Sequence, residues 1–201
     1  MQRLSLILGF LILSYTDLGA QSGYPDVKSV GAMKNVKWKG ELEGSIRLDT
    51  IANRSGLYGL GPQDFLKGEL LIVDGQTFLS QVLSDTSMVV KQLETVEAPF
   101  FVYTNVSEWR LYDLGTSVSD IHSLEEYLDA STESHKRPFA FKLTGKIDRA
   151  QIHIQNLPTG MKVSSPKDAH TGQVRYQLAS EEVEIIGFFS ALHEPSFYHH
   201  T

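Results

Sequence analysis

The chain has 201 residues, 41% of them hydrophobic and 21% charged, and carries a formal net charge of −6. That is ordinary globular composition, long enough for one sizeable domain with its own core. Acids and bases are mixed along it and the longest basic run is His135-Lys136-Arg137, so no nucleic-acid partner is expected; with no cysteine, disulfides and a thiol nucleophile are excluded.

The first twenty residues differ in kind. "MQRLSLILGFLILSYTDLGAQ" places Arg3 before an apolar run from Leu4 to Tyr15, and Ala20 supplies a small residue before Gln21. This is the layout of a secretory signal peptide, with an apolar run too short for a good membrane span. Residues 1–20 are therefore expected to direct export to the periplasm or the medium. Residues 21–201 would form the mature domain, free of the membrane after cleavage.

From Tyr24 to Gly56 the pattern is mixed, Gly40 and Gly44 breaking up any long helix, and "GSIRLDTI" alternates as a strand does. In "ELLIVDGQTFLSQVL", Leu70 to Val73 form an apolar run, Asp74-Gly75 is a hairpin turn and Phe78 to Val82 form the returning strand. "APFFVYTNVSEWRLYDL" predicts a further strand, with Trp109 and Tyr112 in it or at its end. "SDIHSLEEYLDAST" predicts a helix capped by Ser123, with Glu126 three residues on and Leu124 and Leu128 on one face. Strand returns in "RPFAFKLTGKIDRAQIHIQNLP" and again in "EEVEIIGFFSAL". The expectation is an α+β protein, rich in strands in mixed or antiparallel sheets, with few helices and no internal domain boundary.

Candidate chemistry centres on Glu69, which follows Gly68 at the mouth of an apolar strand. A carboxyl in such a place is either a solvated strand-start residue or a desolvated one whose raised pKa suits proton transfer. The glycines around it match neither the dinucleotide nor the P-loop fingerprint, which need a strand before and a helix after. Three of seven histidines, His193, His199 and His200, fall in the last nine residues. Imidazoles ligate transition metals, yet neighbours on a strand face opposite ways, which makes His199 and His200 a weak metal pair. Neither H-x-H nor H-E-x-x-H occurs, nor does the G-x-S-x-G nucleophile elbow. His153, between Ile152 and Ile154, faces water or a cleft if the isoleucines face the core.

"YGLGPQDFLKGELLIVDGQTF" resembles the signature of the alpha-acetolactate decarboxylase family, in which a G-x-G turn leads into a G-E-L strand and a D-G hairpin. "APFFVYTNV", "FAFKLTGKIDRAQIHIQ" and "VEIIGFFS" resemble later blocks of the same family, in the same order. The resemblance implies a Zn²⁺-dependent lyase of acetoin biosynthesis. Such an enzyme converts 2-acetolactate, a small 2-hydroxy-3-oxo acid, to acetoin and CO₂. The metal would polarise the substrate oxygens and stabilise the enediolate left behind. It also implies a homodimer, and it gives Glu69 the part of the family's proton-transferring glutamate. His153 stands where the family's arginine is expected, without the guanidinium fork that grips a carboxylate in two places. Pro62 replaces a threonine and so removes a hydroxyl. The family's H-x-H ligands and C-terminal glutamate are expected beyond Thr201, which reads as a domain incomplete at its C-terminus. The alternatives are a site improvised by His193, His199 and His200, with His199 and His200 as weak metal candidates, or a chain that has lost metal and activity. The rival reading keeps the fold and the pocket around Glu69 and His153 for non-catalytic binding of a small carboxylic acid.

Overall fold

The computed structural model describes residues 26–131 and 138–190. The expected signal segment and the terminal histidines His193, His199 and His200 lie outside the described residues. Among the described residues, no helix is long and apolar enough to cross a membrane.

Among the described residues, ten strands and three α-helices follow in chain order. The main sheet is built from β1 (Lys28–Gly31), β3 (Leu57–Pro62), β4 (Glu69–Val73), β5 (Gln76–Ser84), β6 (Ser87–Leu93) and β8 (Phe100–Asn105). Its spatial order is β1-β8-β3-β4-β5-β6, and every pairing is antiparallel. β2 (Ile46–Arg47) pairs with β7 (Glu97–Ala98). β9 (Phe139–Ile154) and β10 (Val174–Phe189), of 16 residues each, pair along their length as a separate antiparallel ribbon. The helices are α1 (Met33–Lys39), α2 (Ile121–Ser131) and the single turn α3 (Pro166–Ala169).

The β4–β5 hairpin forms where Asp74-Gly75 predicts it. Asp74 and Gly75 both take positive φ, 46° and 81°, the backbone a tight hairpin turn requires. Arg54 locks this turn: its Nε donates to the Gly75 carbonyl at 2.9 Å, Nη1 to the Leu48 carbonyl at 2.8 Å, and Nη2 to Thr77 Oγ1 at 2.8 Å.

Alternation along β4 then divides its side chains. Leu70 and Ile72 enter a core with Leu48, Ile51, Leu57, Leu79 and Phe101. Leu71 and Val73 pack from the opposite face with Tyr58, Val106 and Ile186, under the ribbon. A third cluster joins Met33 and Val36 of α1 to Phe100, Leu157 and Ala169, so α1 and α3 close one end of the sheet. At another end of the ribbon, Leu124 and Leu128 of α2 pack on Phe139 and Phe189. Tyr176 pins the ribbon to the β5–β6 hairpin, its hydroxyl 3.0 Å from the carbonyls of both Ser84 and Ser87.

Four local expectations change. "GSIRLDTI" keeps a strand only at Ile46–Arg47, because Leu48–Thr50 tighten into a 3-10 turn that buries Leu48. β8 ends at Asn105, and Trp109 stacks edge-on against Tyr58 at 5.2 Å instead of extending the strand; Tyr112 also lies in the loop. Asp120, not Ser123, caps α2: Asp120 Oδ1 accepts from the Ser123 backbone N–H at 2.8 Å, and Ser123 Oγ accepts from the Asp120 N–H at 3.1 Å. That reciprocal pair is a capping box with aspartate at its head and serine three residues on. The last strand begins seven residues before "EEVEIIGFFSAL", at Val174, because β9 offers a partner along its whole length.

Candidate active site

Glu69 opens β4 on the face that looks toward the ribbon. It lies opposite Pro62 in the β3–β4 register and opposite Ser80 in the β4–β5 register. Pro62 has no hydroxyl to offer. Glu69 Oε1 accepts one hydrogen bond, from the backbone N–H of Gln155 at 3.2 Å. Burial outweighs that bond and pushes the Glu69 carboxyl up to about 8. At neutral pH it is therefore mostly a carboxylic acid, able to donate a proton.

The residue remains half-buried by area because it borders a cavity of about 440 Å³. The cavity lies between the sheet, the ribbon and α2. Leu60, Leu71, Val102, Phe141, Ile152 and Leu128 make most of its wall apolar, while Glu69, Ser80, Glu125 and His153 supply polar groups. Few polar groups on an apolar wall is the usual make-up of a small-molecule site.

His153 lines the same cavity, so the structure brings Glu69 and His153 to one site. Ile152 and Ile154 border the cavity too, and Ile154 is buried while His153 is half-buried. His153 faces Arg175 in the ribbon register. Partial burial, and then the Arg175 charge, hold its pKa below the usual histidine value. At neutral pH His153 is mainly neutral, so it serves as a hydrogen-bonding group rather than as the cation that an arginine would be.

Among the described residues, no group of three or more His, Cys, Asp or Glu side chains is placed to hold a metal ion. The residues around Glu69 and His153 thus do not by themselves form a zinc centre. His199 and His200, the metal candidates, lie outside the described residues.

Two residues near Glu69 carry no signal of their part in the sequence. Gln155 is 4% exposed and holds Glu69 through its backbone, a role no side-chain motif can announce. His170 follows α3 and, with Lys37 of α1, lines a second, small pocket behind Glu69. Only the docking of α3 against α1 brings it there.

The sequence profile described as alpha-acetolactate decarboxylase matches residues 32–199. No curated protein sequence matches the chain. Solved structures share its fold, among them these three. Alpha-acetolactate decarboxylase from Bacillus subtilis strain 168 is 18% identical, with a TM-score of 0.66 over 85% of this chain and 70% of that one. Acetolactate decarboxylase from Bacillus subtilis subspecies spizizenii is 19% identical, with a TM-score of 0.68 over 85% of this chain and 71% of that one. A Staphylococcus aureus protein of unknown function, similar to alpha-acetolactate decarboxylase, is 16% identical, with a TM-score of 0.68 over 85% of this chain and 70% of that one. At such identities the structural likeness establishes the fold, and the profile match establishes the kinship: the chain belongs to the alpha-acetolactate decarboxylase family.

Proposed function

We propose that this protein decarboxylates 2-acetolactate to acetoin, with Glu69 as the proton donor. The observation that carries the reading is a carboxyl in the wall of an apolar cavity, where burial pushes its pKa up to about 8, in a fold of this family. The substrate's carboxylate is poorly solvated against Leu60, Leu71, Val102 and Ile152, whereas neutral CO₂ is not penalised there. The bond from the carboxylate carbon to C2 breaks, and its electron pair passes through C2 and C3 to the ketone oxygen as an enediolate. Glu69 then gives its proton to C2, and the enediolate collapses to the ketone of acetoin. With Oε1 engaged by the Gln155 N–H, Oε2 is the oxygen that carries the proton. His153 donates a hydrogen bond to a substrate oxygen.

A zinc ion held with the help of His199 and His200 belongs to the proposal through the family, where it would polarise the substrate oxygens. No step above depends on its position. Export through residues 1–20 and a homodimer are likewise part of the proposed biology. The reading is tested by incubating the full chain with 2-acetolactate and zinc and measuring acetoin and CO₂. Equal yields of the two products from the wild type, and a loss of about a hundredfold or more in Glu69→Gln, are expected. Wild-type turnover that survives in Glu69→Gln would remove the carboxyl from the chemistry.

A further inference from the structure

Decarboxylation of a carboxylate to a neutral ketone and CO₂ takes up one proton per turnover. On the reading above, Glu69 gives that proton to carbon and is left as a carboxylate, so it has to be reloaded before the next cycle. The front cavity is then occupied by product and walled by apolar side chains. A second cavity borders Glu69 at its back. There a small pocket of about 20 Å³ is lined by Glu69, Gln155, Pro62, Lys37 and His170. That volume suits one water molecule, which needs two to four polar partners to be held.

The partners are present. Gln155 is only 4% exposed, and its side-chain Oε1 has no hydrogen-bond partner among the described residues. A buried amide oxygen left so is destabilising unless something donates to it. The Glu69 carboxyl forms a second wall, and His170, exposed to solvent at the end of α3, forms a third. Glu69 is the polar residue common to both cavities. It stands between the substrate space and the solvent side.

We propose that a single water seated between Gln155 Oε1, Glu69 and His170 forms a proton relay that reloads Glu69 from solvent through His170 after each turnover. The His170 imidazole first takes a proton from bulk solvent. The imidazolium so formed gives one to the water as the water donates one to the Glu69 carboxylate, which returns His170 to its neutral form. Net, one solvent proton enters for each CO₂ released. The titratable and charged groups facing His170 are Lys37 on α1 and His153 and Arg175 on the ribbon; burial first, and then these groups, keep its pKa below the usual histidine value. Glu69, pushed up to about 8, holds the proton more tightly than His170, so transfer runs toward Glu69. Lys37, half-buried, lines the same wall. His170 touches no substrate, and its part is to supply protons through the water.

This inference rests on Glu69 as the proton donor, and the experiment separates the two. Steady-state turnover of 2-acetolactate by the full chain is measured for the wild type, His170→Gln and His170→Ala, from pH 5 to 9, at low and high concentrations of imidazole buffer. His170 is exposed, and matched melting temperatures check that both variants fold. Expected are a fall in kcat of about tenfold with KM unchanged, a new dependence on buffer concentration in both variants, and recovery of His170→Ala by imidazole. A crystal structure of the full chain is expected to show water density within hydrogen-bond distance of Gln155 Oε1. Variants with wild-type kcat and no buffer dependence, or a pocket filled by side chains, would overturn the relay and leave the proposed reaction standing. A wild type without acetoin would overturn the reaction itself and with it the relay.

Discussion

Glu69 is the residue on which the proposed chemistry turns, and its environment makes two pH predictions. Its pKa rises from 4.5 to about 8 because burial penalises the charged form. Between those values the folded protein holds a proton that the unfolded chain releases. Stability therefore falls as pH rises through this window and levels off above it. A tenfold difference in proton affinity between the folded and unfolded states is worth about 1.4 kcal/mol, so the loss amounts to a few kcal/mol across the window. Glu69→Gln cannot ionise and is expected to flatten that slope, as denaturant melts at pH 5 and pH 8.5 would show. Parallel pH slopes for the two proteins would mean the carboxyl is solvated. In the wild type the donor form is also lost above about pH 8, so kcat should decline there.

His153 makes a prediction of a different kind. Being mainly neutral, in the proposed reaction it contributes one hydrogen bond to the substrate, worth on the order of 1 kcal/mol. His153→Ala should raise KM several-fold with kcat little changed, and the wild-type KM should fall as acid pH restores the imidazolium charge. An unchanged KM would take His153 out of the binding site. Glu69 is legible in the sequence as a carboxyl at the mouth of an apolar strand. Its degree of burial is not, because that depends on Pro62, Ser80 and Gln155, which reach it from a neighbouring strand on either side and from beyond β9.

At the scale of elements, the β4–β5 hairpin positions Glu69, and Arg54 holds the hairpin. Its guanidinium joins the Gly75 and Leu48 carbonyls to Thr77, whose side chain is buried. Arg54→Ala removes charge-assisted bonds and strands those acceptors. A loss of about 3 kcal/mol in urea unfolding is expected, and a loss below about 1 kcal/mol would show that the clamp is dispensable. The glycines of "YGLG" have a packing reason of their own. A Cβ on Gly59 would meet Phe101 Cε1 at 2.5 Å and the Val102 carbonyl oxygen at 2.8 Å. Phe101 is fully buried and cannot move aside cheaply. Gly59→Ala should destabilise the sheet by about 1–3 kcal/mol in the same unfolding measurement, in the range of overpacked cores.

Elements with local signals are the readable ones. Asp74-Gly75 dictates a hairpin wherever it falls, and Gly40, at φ 67°, ends α1 as a glycine in that conformation does. The short turn at Leu48 and the loop position of Trp109 have no such signal. Leu48 is drawn into the main core and Trp109 onto Tyr58, and both contacts are tertiary. The capping box of α2 is visible as a polar pair, but its head is Asp120 rather than the expected Ser123, since aspartate and serine both serve at either position.

For the whole molecule, the strand-rich fold can be read from the order of its motifs, and the ribbon's role cannot. β9 and β10 look like two ordinary strands in the sequence. Their pairing with each other, and the docking of Ile186 and Ala140 over Tyr58, Leu71 and Val73, fix the ribbon over the sheet, where Phe141, Ile152, His153 and Phe188 wall the cavity. The site is thus a product of three layers meeting. A sheet supplies Glu69 and Ser80, a ribbon supplies His153, and α2 closes one side with Leu124 and Leu128. An apolar wall of this kind favours loss of charge from a bound carboxylate, which is the thermodynamic direction of the proposed reaction.

The most direct test is to purify the full chain in the presence of Zn²⁺, measure bound metal, and follow acetoin formed from 2-acetolactate at neutral pH. The proposed reaction predicts about one zinc per chain and acetoin released in step with CO₂. Stabilisation of the protein by 2-acetolactate without turnover would contradict it, and would leave the cavity around Glu69 and His153 as a binding site for a small carboxylic acid.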